Sequence, residues 1–227
     1  WDVDRLGEPG SLAFIGLEWA AALSSPGPFY KFYASEGALR VPMIVSGPNV
    51  PASRPDQHVF VTDMTPTLLE LAGVAPSHKA GDIPMTGVSL VPALRGEQPR
   101  PPDAAIGVEV SGNAALLVDA FKIVRNMPPV GDGKWRLFDL ASDPGETRDL
   151  SLVDPQRFQD MVRRYVEYET DMGVLPLPPG YQVERQILRN ALARQLGFHW
   201  PLLVGVGAVL LALGAFTASR LRRRKKA

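Results

Sequence analysis

The sequence predicts an α/β fold followed by one membrane-spanning helix. Three observations support this prediction: a strand, loop and helix pattern in residues 40–73, four closely spaced apolar runs in 105–139, and an uncharged stretch at 200–219. A strand that leads into a helix is a unit of an α/β sheet, whereas short turns between neighbouring runs favour an antiparallel sheet. We therefore expect an α/β unit, a small antiparallel four-stranded sheet with a packed helix, and one transmembrane helix.

The α/β unit begins with a short buried strand predicted over residues 40–46, whose sequence RVPMIVS is rich in apolar and β-branched side chains. A helix is predicted over residues 64–72. Asp63 can cap this helix, and Pro66 stands in the first turn, where a missing N–H is harmless. Gly73 suits the position just after the last turn. Together these features predict the order strand, loop, helix.

Four apolar runs within residues 105–139 predict an antiparallel meander; they are IGVEV, AALLV, FKIVR and WRLFDL. Asp154-Pro155 then begins a predicted helix that ends near Gly173. Five apolar residues of this helix recur at i, i+3, i+4, i+7 and i+8, namely Phe158, Met161, Val162, Tyr165 and Val166. This spacing places them on one face, so we expect that face to pack on the sheet.

The C-terminal region begins with LPLPPG at 175–180, which predicts a stiff proline spacer, and a helix is predicted over 183–196. Residues 200–219 contain no charge, and a helix of this length spans about 30 Å, the thickness of the bilayer core. Six cations follow at 220–226. The positive-inside bias predicts a cytoplasmic tail, with everything before His199 in a periplasm or extracellular space.

Composition narrows the classes of function. The chain has no cysteine, which excludes disulfides, thiolate metal sites and a cysteine nucleophile from this stretch. Lys and Arg number 24, as do Asp and Glu. Without the six cations of the tail, the rest of the chain has 18 basic and 24 acidic side chains. A mildly acidic body argues against nucleic acid as a partner, since binding phosphates needs a basic face.

Four motifs follow one another along the chain. In the first, Lys31 stands five residues before Glu36-Gly37, ahead of Arg40-Val41-Pro42. The other three are DMTPTLL with LAGV at 63–74, GVSL at 87–90, and LFDL with DPGE at 137–146. In this order, with GLEWA at 16–20, they resemble the sulfatase family, and in particular its arylsulfatase-like members within the alkaline phosphatase superfamily.

The resemblance implies an alkaline-phosphatase-like fold and the hydrolysis of sulfate esters by a formylglycine nucleophile with a divalent cation, commonly calcium. Lys31 matches the family's sulfate-contacting lysine, and it is the one catalytic residue that we predict. An ammonium group can neutralise a sulfate oxygen and stabilise charge on the leaving oxygen. The family often has a second glycine where this chain has Ala38, which puts the local backbone angle in question.

The family's nucleophile motif, Cys or Ser, any residue, Pro, a small residue and Arg, does not occur here, because Ser24, Ser53 and Ser142 precede a proline at the right distance but lack the arginine. We therefore expect the nucleophile and the metal ligands upstream of Trp1. No metal-ligating or cofactor-binding residue is predicted in this chain, and Asp2 and Asp4 are interpreted as part of a solvated loop. The chain alone is predicted to be inactive.

These predictions divide the chain into five parts: 1–103, the C-terminal part of the mixed α/β sheet; 104–174, the antiparallel sheet and its helix; 175–198, the spacer and a juxtamembrane helix; 199–219, the transmembrane helix; and 220–227, the basic tail. The predicted partners are a sulfate ester and the lipid bilayer. A phosphodiester or phosphonate monoester hydrolase of the same superfamily, and a non-catalytic sulfatase-like membrane module, remain as alternatives.

Other charged residues are interpreted as structural. Glu36 and Arg40 are expected to anchor a loop through a hydrogen bond or ion pair. Three acidic residues near LFDL are expected to cap turns, namely Asp139, Asp143 and Asp149. Three histidines lack the spacing of a metal site, namely His58, His78 and His199.

Overall fold

The structure is a computed structural model that describes residues 3–5, 8, 16–48, 50–52, 57–76 and 84–224, without the side chains of 3, 184, 203, 212 and 215–224. The predictions for Asp2, Ser53 and His78 therefore fall outside the described residues. The chain divides into two compact units, Trp1–Leu175 and Pro176–Ala227. The sheet and the loop that carries Lys31 lie in the first unit.

Among the described residues before the sheet, the α-helices are α1 Leu17–Leu23, α2 Glu36–Leu39, α3 Met64–Leu71 and α4 Val91–Leu94. Helix α3 begins directly after Asp63 and ends one residue before its predicted end, with Gly73 at a φ of 65° just beyond it. The predicted side-chain cap is wrong, because the carboxylate of Asp63 makes no hydrogen bond to α3. That carboxylate binds elsewhere, as described below.

The buried strand predicted over 40–46 is also wrong. Residues 41–46 have no regular secondary structure, and Val41 and Ile44 are 76% and 92% exposed. The apolar, β-branched composition favours a strand, but a strand exists only where a neighbour bonds its backbone. The described residues contain one sheet, and none of its strands pairs with residues 40–46.

The antiparallel sheet is confirmed. Its strands are β1 Ala105–Val110, β2 Asn113–Val118, β3 Phe121–Arg125 and β4 Arg136–Asp139. They pair antiparallel in the order β1-β2-β3-β4, with two-residue turns at 111–112 and 119–120. Such short connections permit only antiparallel neighbours, which is why the spacing of the apolar runs predicted the topology.

Both faces of the sheet are covered, so its strands are buried on alternate residues to either side. One face of the sheet, here called the loop face, packs against Ala34 in the segment before α2. Leu39 and Phe60 lie at the margin of this face. Its sheet and flanking residues are Val108, Ala115, Leu117, Val124, Phe138 and Leu140. The opposite face, here called the helix face, packs on the helix that follows the sheet in the chain. The sheet residues of this face are Ala114, Leu116, Ile123 and Leu137. The side-chain alternation of β2 supplies both faces.

Helix α5, Pro155–Asp171, covers the helix face. The Asp154 carboxylate accepts the N–H of Arg157 at 3.1 Å, which confirms the predicted start. Met161 and Tyr165 are buried, but Val166 is 51% exposed, so its predicted contact is wrong. Tyr168 packs against the sheet in its place.

The second unit contains one helix, α6 Val183–Arg224, of 42 residues with Pro201 inside it. The segments predicted as a helix at 183–196 and a span at 200–219 both lie within this continuous helix. Within the described residues, no helix is both long enough and apolar enough to cross a bilayer. The predicted transmembrane helix is thus not supported by the structure.

A candidate active-site loop

Lys31 lies in a loop of residues 28–36, here called the Lys31 loop, that ends at α2. The lysine is exposed, and its Nζ lies 4.9 Å from the centroid of the Phe32 ring. Phe29 and Phe32, on either side, have φ values of 66° and 87°. A bulky residue in this left-handed region costs about 1–3 kcal/mol and persists only when its surroundings hold it. The loop that carries the predicted catalytic residue is therefore strained.

The base of the Lys31 loop is closed by two glycines. A Cβ atom on Gly37 would lie 2.5 Å from the carbonyl oxygens of Gly27 and Phe29, closer than any real contact. The N–H of Gly37 donates to the carbonyl oxygen of Pro28 at 3.1 Å. Glycine is thus required at position 37 of the first motif because two backbone segments cross there. Ala38 lies inside α2 without a positive φ, so it needs no glycine.

Two asparagines, one in β2 and one directly after β3, bind the Lys31 loop. The Asn113 Nδ2 donates to the Phe32 carbonyl oxygen at 2.6 Å, and its Oδ1 accepts the N–H of Met127 at 2.7 Å. The Asn126 Oδ1 accepts the N–H of Ala34 at 3.0 Å, and its Nδ2 donates to a serine Oγ at 2.8 Å. Each such bond contributes about 0.5–1.5 kcal/mol, enough together to hold a strained backbone.

A buried lysine joins the first motif to the last. The Nζ of Lys122 lies 2.8 Å from Oε1 of Glu36 and 2.7 Å from Oε1 of Glu146. The Lys122 side chain is 0% exposed and the two glutamates are 5% and 2% exposed. Lys122 stands opposite Leu117 and Phe138 in the sheet, on the loop face, where an unpaired ammonium would be very costly. The loop-anchoring role predicted for Glu36 is confirmed.

The Asp63 carboxylate forms a second buried hub. It is 0% exposed, accepts the N–H of Phe60 at 2.7 Å and of Val88 at 2.9 Å, and pairs with Arg100. Burial alone raises the pKa of Asp63, but the hydrogen bond from Arg100, the two backbone N–H groups and the Arg100 charge together hold this pKa below its usual range. Asp63 therefore ties the second motif to the third instead of facing a substrate.

Replacing Asp63 with Asn is expected to lower the free energy of unfolding at neutral pH by about 1.5–3 kcal/mol, the scale for hydrogen bonds to a charged group. Because the pKa of Asp63 is lower in the folded state, its stabilisation is present above about pH 4 and is lost as the pH falls through the folded-state pKa. Urea unfolding across a pH series checks this. Asp103 is exposed, and Asp103→Asn should lose free energy of unfolding with falling pH as the wild type does. If Asp63→Asn also keeps the wild-type dependence of this free energy on pH, the assignment is contradicted.

The turn roles predicted for three acidic residues are confirmed. Asp139 accepts from Ala141 N, Asp143 from Thr147 N and Arg148 N, and Asp149 from Leu137 N and Ser151 N. His58 and His199 are exposed. Within the described part of the chain, no group of three His, Asp or Glu side chains could hold a metal ion.

A second polar cluster lies on the helix face. The Tyr165 hydroxyl donates to Glu109, and the Arg125 guanidinium lies 4.8 Å from the centroid of the Trp135 ring. Burial raises the pKa of Glu109 despite the hydrogen bond from Tyr165 and the charge of Arg125. This cluster faces α5, on the side of the sheet away from the Lys31 loop.

Comparison with known proteins gives sulfatases. An uncharacterized sulfatase of Schizosaccharomyces pombe is 30% identical over 192 residues, which is 80% of this chain and 34% of that protein. A choline-sulfatase of Rhizobium meliloti is 31% identical over 137 residues, covering 59% and 23%. Arylsulfatase K of Xenopus laevis is 29% identical over 158 residues, covering 62% and 28%. No family model matches the chain.

A solved structure of Ps i-CgsB is 26% identical, and the match covers 49% of this chain and 24% of that one, with a TM-score of 0.40. The chain is related to the sulfatases, as its four motifs predict. It spans 34% or less of the length of these three relatives, which is consistent with their C-terminal portion.

Proposed function

We propose that the chain forms the C-terminal portion of a sulfatase that hydrolyses sulfate esters, and that Lys31 contacts the sulfate group. The observation that carries the proposal is the placement of Lys31. It is an exposed cation on a strained loop whose backbone is bound by buried asparagines, at the position that the family's motif gives to a sulfate-contacting lysine. Strain held by a rigid surrounding is typical of functional sites.

In the proposed reaction, the sulfate ester and one water give free sulfate and an alcohol or phenol; the nucleophile attacks the sulfur, and the S–O bond to the alcohol or phenol oxygen breaks. The attacking nucleophile, a formylglycine hydrate, and a divalent cation, proposed as calcium, are assigned to sequence upstream of Trp1. The cation would neutralise the sulfate charge. The part of Lys31 is to place its ammonium against a sulfate oxygen and the leaving oxygen, where negative charge grows in the transition state. Removing calcium with a chelator should abolish turnover, and adding it back should restore turnover.

The proposal is tested with paired substrates. The full product of the gene should hydrolyse 4-nitrophenyl sulfate, with much lower activity on the corresponding phosphate monoester, phosphodiester and phosphonate esters. Residues 1–227 alone should show no turnover, because an ammonium cannot attack sulfur. A preference for phosphodiesters or phosphonates would identify a phosphodiester or phosphonate monoester hydrolase instead of a sulfatase. Binding of sulfated ligands with no turnover by the full product would identify a non-catalytic module.

Membrane attachment through residues 200–219 is a further part of the proposal. Its support is the uncharged stretch of 20 residues and the six cations that follow it. We expect the protein to stay with membranes in alkaline carbonate, and the tail at 220–227 to resist an impermeant label on intact cells. Release by carbonate would contradict the anchor, and labelling of the tail would contradict the orientation.

A further inference from the structure

The sheet holds the segment just after Lys31 by buried side chains. Asn113 binds the Phe32 carbonyl and Asn126 binds the Ala34 N–H. Asn113 is 1% exposed and its other amide end is occupied by the N–H of Met127, so its direction is determined. Side chains on strands of a packed sheet are rigid donors and acceptors compared with those on loops.

We infer that Asn113 is a positioning residue for Lys31, a role that rests on the proposed function. The Phe32 carbonyl directly follows Lys31 in the chain, and Phe32 has a φ of 87°. Because that angle is strained, the backbone relaxes unless a partner fixes the carbonyl. Relaxation would rotate the adjacent peptide and redirect the Cα–Cβ bond of Lys31.

The side chain of Lys31 does little by itself to fix the position of its ammonium group. It is exposed, and its ammonium lies over the ring of Phe32, which is one of the two residues with strained φ values. A long, flexible stem with a weak contact samples many positions. The direction in which the stem leaves the backbone is therefore what the fold controls, and the bond from Asn113 controls it. A misplacement of about 1 Å can cost about 100-fold in rate.

The test uses Asn113→Ala and the isosteric Asn113→Asp in the full gene product. Asn113→Asp keeps an acceptor for Met127 N but replaces the donor to the Phe32 carbonyl. Both should lower kcat/KM for 4-nitrophenyl sulfate by about 10- to 100-fold. In a Lys31→Ala background they should cause no further loss, because they act through Lys31. Leu116→Ala, on the helix face, is the control: it should lower Tm without this loss of kcat/KM while the protein stays folded.

Several results would overturn the inference. If Lys31→Ala is impaired while both Asn113 variants keep full activity, Asn113 does not position the lysine. Losses that add in the double variant, or that Leu116→Ala reproduces, would assign Asn113 to stability alone. A fully active Lys31→Ala would instead remove the proposed role of Lys31, and the inference with it. Should one variant fail to fold, the other still decides. Hydrogen exchange of amides 30–36 should also be faster in the Asn113 variants, and unchanged exchange would contradict the mechanism.

Discussion

Replacing Lys31 with alanine in the full gene product is expected to lower kcat and kcat/KM together, by about 10² to 10³. The physical reason is that an ammonium group aimed at developing charge stabilises the transition state more than the bound substrate. Such a loss corresponds to roughly 3–4 kcal/mol of transition-state stabilisation. Steady-state kinetics on an aryl sulfate measure it. Stability should change little, because Lys31 is exposed.

The control for Lys31→Ala is Lys134→Ala, since Lys134 is also an exposed lysine and lies in the connection between β3 and β4. It should leave both kinetic constants unchanged. An increase in KM alone for Lys31→Ala would mean that the lysine only binds substrate in the ground state. Wild-type kinetics for that variant would return Lys31 to an ordinary surface lysine.

Replacing Lys122 with methionine is expected to lower the free energy of unfolding by about 3–5 kcal/mol. The substitution keeps the length of the side chain but leaves the carboxylates of Glu36 and Glu146 buried without their cation. An uncompensated buried charge is among the most destabilising changes known. Since the net free energy of unfolding of a native protein is only about 5–15 kcal/mol, this variant should be close to unfolding. Urea denaturation of the purified protein measures the loss.

Two further variants separate charge from packing. Lys134→Met removes an exposed cation and should cost less than about 1 kcal/mol. The triple change Lys122→Met with Glu36→Gln and Glu146→Gln removes the unpaired charges, so it should recover part of the stability that Lys122→Met loses. If Lys122→Met is as stable as the wild type, the buried ion pairs do not hold the Lys31 loop to the sheet.

Local signals predicted much of the fold. The four strands, their antiparallel order and the start of α5 at Asp154 follow from turn spacing and apolar periodicity, and all are confirmed. These features depend on residues within a few positions of one another. Val166 was assigned to the packed face of α5 by the same periodicity, but it stands at the margin of that face, and Tyr168 makes the contact with the sheet.

The candidate site could be predicted only in part. Lys31 and the anchoring role of Glu36 come from the first motif, but neither Asn113 nor Lys122 carried a signal as a partner of the Lys31 loop. Both lie far from that loop in the chain, since Asn113 is 81 positions after Phe32 and Lys122 is 86 positions after Glu36. A charged residue inside the apolar strand FKIVR was the available hint, because a lysine on a face that becomes buried needs a counter-charge.

The sequence by itself determined the local elements and the family, because helix caps, turns, alternation and motif order are written in neighbouring residues. Only the tertiary structure decided two further matters. It left 40–46 without a strand partner, since composition favours a strand but pairing creates one. It also brought Asn113 and Lys122 against the Lys31 loop, because the register of β2 and β3 turns both side chains to the loop face, and register depends on the packed sheet as a whole.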